Sequence, residues 1–234
     1  MSGQSPSSSE RRSFLTGLNA GAASLAALAV GGAAMAQGKP EATTGWVPAR
    51  HDKDDWLDKQ ATKHRLVFDT TTPEGLAEAL AFAGDFIRVN RTDYGVQESD
   101  LAVVIVVRYH STPFGYNDAI WAKYGTPMAA QSRFEDPKSK VAPKTNVFNS
   151  ADYGDLMANR GTTLDALFKQ GVQLAVCSVA TRAYAGAIAR AVGGNADAIN
   201  SELIANRVST SRMVPAGIVA VSRAQERGYT LVRA

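Results

Sequence analysis

The sequence predicts an α/β fold: a single Rossmann-like (flavodoxin-like) domain of about five mostly parallel strands with helices on both faces. Three observations predict it. Leu101 to Val107 is an unbroken apolar run rich in β-branched residues, which suits a strand covered on both faces, as in a parallel sheet. Strand-like and helix-like segments alternate along residues 62–234, the pattern of crossover units around a parallel sheet. The chain has 234 residues with 45% hydrophobic content, enough for one domain with a proper core.

The elements follow in order. His64 to Asp69 is a short apolar run after charge and reads as the first strand. Thr72-Pro73-Glu74 starts a helix, with a hydroxyl cap, proline at the first helical position and an acid near the positive end. Leu76, Leu80, Ala83 and Ile87 follow at helical spacing. After the strand 101–107, the stretch Ser111–Tyr124 mixes polar caps with aromatics. It reads as a short amphipathic helix starting near Asn117 or Asp118, with Phe114, Trp121 and Tyr124 as core; the other reading makes it a pocket wall beside His110. Residues 125–160, with Pro127, Pro137 and Pro143 among Lys138, Lys140 and Lys144, are predicted to be a long loop. A helix over Thr163–Gln170 feeds a strand ending at Cys177. Ser178 to Val192 is the next helix, with Val179, Ala183, Ala187 and Ala191 on one side. Short strands near 211–214 and 229–233 flank a helix over about 216–227, opened after Pro215 and closed by Gly228.

Ahead of this domain, residues 1–36 read as an export signal. Arg11-Arg12-Ser13-Phe14-Leu15 matches the twin-arginine pattern, an Ala/Gly-rich apolar stretch runs to Val30, and Ala34-Met35-Ala36 is a small-x-small cleavage site. The apolar stretch contains Thr16, Gly17, Asn19, Gly21 and Ser24, which makes it too weakly hydrophobic for a stable membrane span. The expected localisation is the periplasm or extracytoplasmic space, with the twin-arginine machinery as the precursor's partner. Residues 37–61 read as a polar leader.

Composition narrows the function classes. Charge is nearly balanced, 25 Lys+Arg against 22 Asp+Glu, and no basic run is interleaved with aromatics, so nothing points to nucleic acid. The three histidines show no metal-ligand spacing, Gly193-Gly194 follows a helix instead of opening one, and no Gly-x-Ser-x-Gly elbow occurs. No metal or cofactor is expected.

Two reactive side chains fall at carboxyl ends of predicted strands, where open parallel sheets bind ligands: His110 after strand 101–108, and Cys177. Cys177 is the sole cysteine, and it stands where the next helix begins. Helix N-termini favour thiolates, and Arg182 about one turn along adds positive charge. Such a cysteine is either a nucleophile or persulfide carrier, with His110 as proton acceptor or ion-pair partner, or a buried small apolar residue. Thr112, Asn117, Ser178 and Arg182 are the candidate ligand-binding residues around this pair.

The runs Gly171-Val172-Gln173-Leu174-Ala175-Val176-Cys177, Val214-Pro215-Ala216-Gly217 and Ala224-Gln225-Glu226-Arg227-Gly228-Tyr229, in that order, resemble the DsrE/DsrF-like family. Asp118, Trp121 and Lys123-Tyr124 are similar to its exported members, while Arg108-Tyr109-His110 replaces a plain arginine-histidine pair. The resemblance covers about residues 62–234. It implies a small Rossmann-like domain assembling as a homo-oligomer, often a trimer, and a cysteine matching Cys177 that relays sulfur as a persulfide. Sulfur-relay members are cytoplasmic, whereas this chain carries an export signal. The expected function is therefore an exported protein handling sulfur on Cys177; the alternative is a non-enzymatic ligand-binding or assembly protein with a structural Cys177.

Overall fold

The computed structural model describes residues 45–58 and 63–234; the predicted export signal lies outside the described residues. Val47–Ala234 forms one compact unit. Its centre is a five-stranded sheet of β1 (His64–Thr70), β2 (Leu101–Val107), β3 (Gln173–Cys177), β4 (Ser211–Val214) and β5 (Thr230–Arg233). The strand order is β4-β3-β2-β1-β5, and every pairing is parallel. The fold is the α/β class that the sequence predicts.

Strand alternation sorts side chains into two layers. Leu66, Phe68, Val103, Ile105, Val107, Leu174 and Val176 face the larger one, with Leu76, Leu80, Ala83 and Ile87 of α1 (Pro73–Tyr94), as their spacing predicts. The same layer takes Trp121 from α2 (Asp118–Ser132), Leu164 from α3 (Leu164–Lys169), Tyr184 and Ile188 from α4 (Ser178–Val192), and Leu203 from α5 (Ala196–Ala205). Val67, Val104, Val106, Ala175 and Val214 face the other layer, against Ala220, Val221 and Ala224 of α6 (Gly217–Gln225). Crossover handedness explains the division. The chain steps from β1 through β2 and β3 to β4 in one direction, so right-handed connections put α1 to α5 on one face. It then returns across the sheet to place β5 beside β1, which puts α6 on the opposite face.

Four local readings are refined. Within the expected polar leader 37–61, Asp52–Leu57 is a 3₁₀ helix whose Trp56 and Leu57 are buried in the smaller layer. These two large apolar residues in a charged run cover the α6 face, and Tyr229 Oη donates to Leu57 O at 2.9 Å. Residues 125–132 of the expected loop 125–160 instead continue α2. The helix tolerates Pro127 because Tyr124 leaves helical geometry (φ −125°, ψ 15°), so the proline falls in the turn after a kink. The rest of that segment is anchored: Asn146 Nδ2 donates to Phe114 O (2.8 Å) and Tyr116 O (2.9 Å), and Tyr153 Oη donates to Asp136 at 2.7 Å. Helix α5 is additional to the predicted elements. Asn195 caps it by accepting from Ala198 N at 2.9 Å, and Tyr124 Oη donates to its Glu202 at 2.7 Å. The Val179/Ala183/Ala187/Ala191 side of α4 faces outward, because Thr181, Tyr184, Ala185 and Ile188 form the buried side. Among the described residues no helix is long and apolar enough to cross a membrane.

Candidate functional site

The chain leaves β3 toward one face, through α4, and leaves β4 toward the other, through α6. The carboxyl ends of these neighbouring strands are therefore a topological switch point, where α/β sheets open a crevice. A pocket of about 290 Å³ lies there. Arg108, Tyr109 and His110 line it from the end of β2, Cys177 from β3, Ala216 from the turn after β4, Gln131 from α2, and Val179, Ala180, Ala183 and Tyr184 from α4.

The turn after β2 is sharp. Tyr109 adopts a left-handed φ of 57°, a conformation costing about 1 kcal/mol in a non-glycine residue. Two bonds to the end of β1 hold it there: Arg108 N donates to Thr70 O at 3.3 Å and His110 N to Thr71 O at 3.0 Å. The turn swings Tyr109 outward and lays its ring 3.8 Å, centroid to centroid, from that of His110. His110 Nδ1 lies 2.8 Å from the backbone oxygen of Gln131, near the carboxyl end of α2. A carbonyl oxygen only accepts, so Nδ1 carries a proton, and in the neutral ring Nε2 holds the free lone pair.

Arg108 is locked to the buried Asp69 at the end of β1. Its Nε and Nη2 donate to the two carboxylate oxygens at 2.6 and 2.8 Å. The Asp69 bond holds the guanidinium above its ordinary pKa, against the opposing effect of partial burial; the charge of Asp69 and then Coulombic coupling to Cys177 add to the rise. The Arg108 stem fills the space above Gly217, where an added Cβ would lie 2.8 Å from Arg108 Cβ and 3.0 Å from its Cδ. Glycine in the Val214-Pro215-Ala216-Gly217 run thus permits the arginine's path.

Cys177 is 6% exposed and is the N-cap residue of α4, its Sγ accepting from Ala180 N at 3.4 Å. Thr181 Oγ1 donates to Cys177 O at 2.8 Å and accepts from Tyr116 Oη at 2.8 Å, a buried chain that fixes the backbone beneath the sulfur. Tyr184 on the pocket wall is 3% exposed, and its hydroxyl has no hydrogen-bond partner of proper geometry. The nearby Ser132 hydroxyl is bonded to Met128 O at 2.8 Å. Burial is the main cause that pushes the Tyr184 phenol well above its ordinary range, so it stays protonated.

Of the sequence-predicted residues, the structure brings Cys177 and His110 into one pocket and leaves four outside its lining. Thr112 is wholly buried, with Oγ1 lacking a hydrogen-bond partner. Asn117 caps α2, accepting from Ile120 N at 3.3 Å. Ser178 is half-buried in the first turn of α4, and Arg182 is exposed. Sequence reasoning missed Arg108, Gln131 and Tyr184 as site residues. Arg108 carried a signal, two positions before His110 at the same strand end. Gln131 lay in a stretch read as loop, and Tyr184 carried no signal apart from its helical position. Among the described residues no group of three or more His, Cys, Asp or Glu could hold a metal ion.

No family model matches the chain. No curated protein matches it either. Among solved structures it is similar to a protein of unknown function from Methanobacterium thermoautotrophicum, at 14% identity over 74% of this chain and 100% of that one, with a TM-score of 0.36.

Proposed function

We propose that the protein carries sulfur as a persulfide on Cys177, with His110 moving the proton. The carrying observation is that the sole cysteine and a histidine with an orienting carbonyl line one pocket at the switch point of the sheet. The resemblance of the Cys177, Val214–Gly217 and Ala224–Tyr229 runs to the DsrE/DsrF-like family supports the same reading.

In this reading His110 Nε2 takes the Cys177 thiol proton. The thiolate attacks the outer sulfur of a persulfide R–S–SH, the donor's S–S bond breaks, and R–S⁻ leaves carrying the electron pair. The imidazolium returns its proton to R–S⁻, so Cys–SH and R–S–SH become Cys–S–SH and R–SH without an external oxidant. The two helix ends suit this charge movement. The amide end of α4 meets negative charge on Sγ, and the carbonyl end of α2 meets positive charge on the ring. Exposure to a small persulfide donor is expected to add the mass of one sulfur atom to the Cys177 peptide. His110→Gln should slow that uptake by about 10²-fold. Equal rates would remove His110 from the reaction, and absence of uptake by the unmodified protein would overturn the reading.

A second reading rests on the bond from Ala180 N to Cys177 Sγ: the cysteine is a buried helix cap in a ligand-binding or assembly protein. Cys177→Ser separates the two readings, because it keeps a cap acceptor and removes the sulfur.

The Arg11-Arg12-Ser13-Phe14-Leu15 run further supports export of the protein as a folded precursor. A precursor carrying Arg11→Lys with Arg12→Lys is expected to stay uncleaved in the cytoplasm, read by fractionation and intact mass. Normal export of that variant would contradict the assignment.

A further inference from the structure

Resting on the sulfur reading above, we infer that this pocket selects uncharged, compact sulfur donors and turns away anionic ones such as thiosulfate. Arg108 is the one lysine or arginine among the residues that line the pocket, and its charge is already matched by Asp69 through two bonds of 2.6 and 2.8 Å. Asp69 is 6% exposed, so the carboxylate that matches this charge is itself shielded from bulk water, while the Arg108 side chain is partly exposed. Tyr109, His110, Gln131, Cys177 and Tyr184 also line the pocket, and its other walls are the apolar side chains Val179, Ala180, Ala183 and Ala216. When His110 takes the Cys177 proton, the imidazolium is matched by the thiolate, so an entering anion would give up its hydration with no net positive charge to receive it. It would also meet the negative charge of the attacking thiolate. A neutral donor meets neither cost. The volume of about 290 Å³ limits the donor to a small molecule. Persulfides in their R–S–SH form and short organic polysulfanes fit this description; oxyanions of sulfur do not.

The test uses methanethiosulfonate reagents on the folded protein, read by mass. The Cys177 thiolate attacks the reagent's thiol-side sulfur, a disulfide forms, and methanesulfinate leaves with the electron pair of the broken S–S bond. A neutral hydroxyethyl reagent and an anionic sulfonatoethyl reagent differ little in length. With each rate divided by that of a small reference thiol, the neutral reagent is expected to label Cys177 at least about tenfold faster than the anionic one. Asp69→Asn, which leaves Arg108 unmatched, should narrow that ratio. Ala183→Lys, on the exposed side of the wall, should narrow it too and serves if Asp69→Asn does not fold. Equal rates in the unmodified protein, or a faster anionic reagent, would overturn the inference. Neutral selectivity without persulfide uptake from any donor would support this charge filter and count against the sulfur chemistry it is taken to serve.

Discussion

Cys177→Ser is expected to abolish sulfur uptake from a persulfide donor while leaving the protein folded. Serine places an oxygen where Sγ accepts from Ala180 N, and serine is a preferred N-cap residue, so α4 keeps its cap. A hydroxyl at this position forms no persulfide. Cys177→Ala loses both, and its added cost is about 0.5 kcal/mol, the low end for a lost cap, because the sulfur contact is long at 3.4 Å. The pair of variants separates chemistry from structure. Urea unfolding should show serine near the unmodified protein and alanine slightly below it, with uptake lost in both. Retention of function in Cys177→Ser would favour the structural reading of the cysteine.

Gly125→Ala is expected to be the most damaging of the small substitutions. A Cβ at Gly125 would lie 2.2 Å from the backbone oxygen of Pro143, and a backbone carbonyl has no rotamer by which to yield. Either α2 shifts or the Pro143 segment lifts from it. Pro143 stands three residues before Asn146, whose side chain ties that segment to Phe114 and Tyr116. The expected loss is about 3 kcal/mol, typical of severe overpacking. In a chain of this size that lowers the melting temperature by roughly 10 °C. The site should feel the change as well, because α2 also supplies the Gln131 carbonyl that orients His110. An unchanged unfolding midpoint would contradict this account of the packing.

Legibility differed along the chain for physical reasons. Periodicity announced α1, whose apolar positions at 76, 80, 83 and 87 all face the core. The fully buried β2 announced itself as a continuous apolar run. Helix α5 carried only Ile199 and Leu203 as buried apolar residues behind a Gly-Gly pair, too weak a stripe to read. In the 125–160 segment, prolines argued for loop, yet the kink at Tyr124 reset the helix and made Pro127 acceptable. On α4 the apolar stripe noted in the sequence turned outward, since Thr181 and Tyr184 are amphipathic residues whose burial depends on the Tyr116 hydroxyl and the pocket wall.

The candidate site followed the same division. Strand-end positions made Cys177 and His110 legible, because the carboxyl edge of a parallel sheet collects its ligands. The partners that give them chemistry were not legible. Asp69 reaches Arg108 across 39 positions in sequence, and the Gln131 carbonyl reaches His110 across 21. Such pairings depend on which strands lie side by side and on how α2 continues past its kink. Thr112 and Asn117 lie near His110 in sequence, but backbone direction sends one inward and makes the other a helix cap.

The central claim is that Cys177 holds transferable sulfur. Its most direct test is mass spectrometry of the protein purified from its native source without added reductant. The account predicts a fraction of the Cys177 peptide heavier by one sulfur atom, and return to the plain thiol when a reductant is added. A Cys177 found only as the plain thiol, which also takes up no sulfur when offered a persulfide, would contradict it.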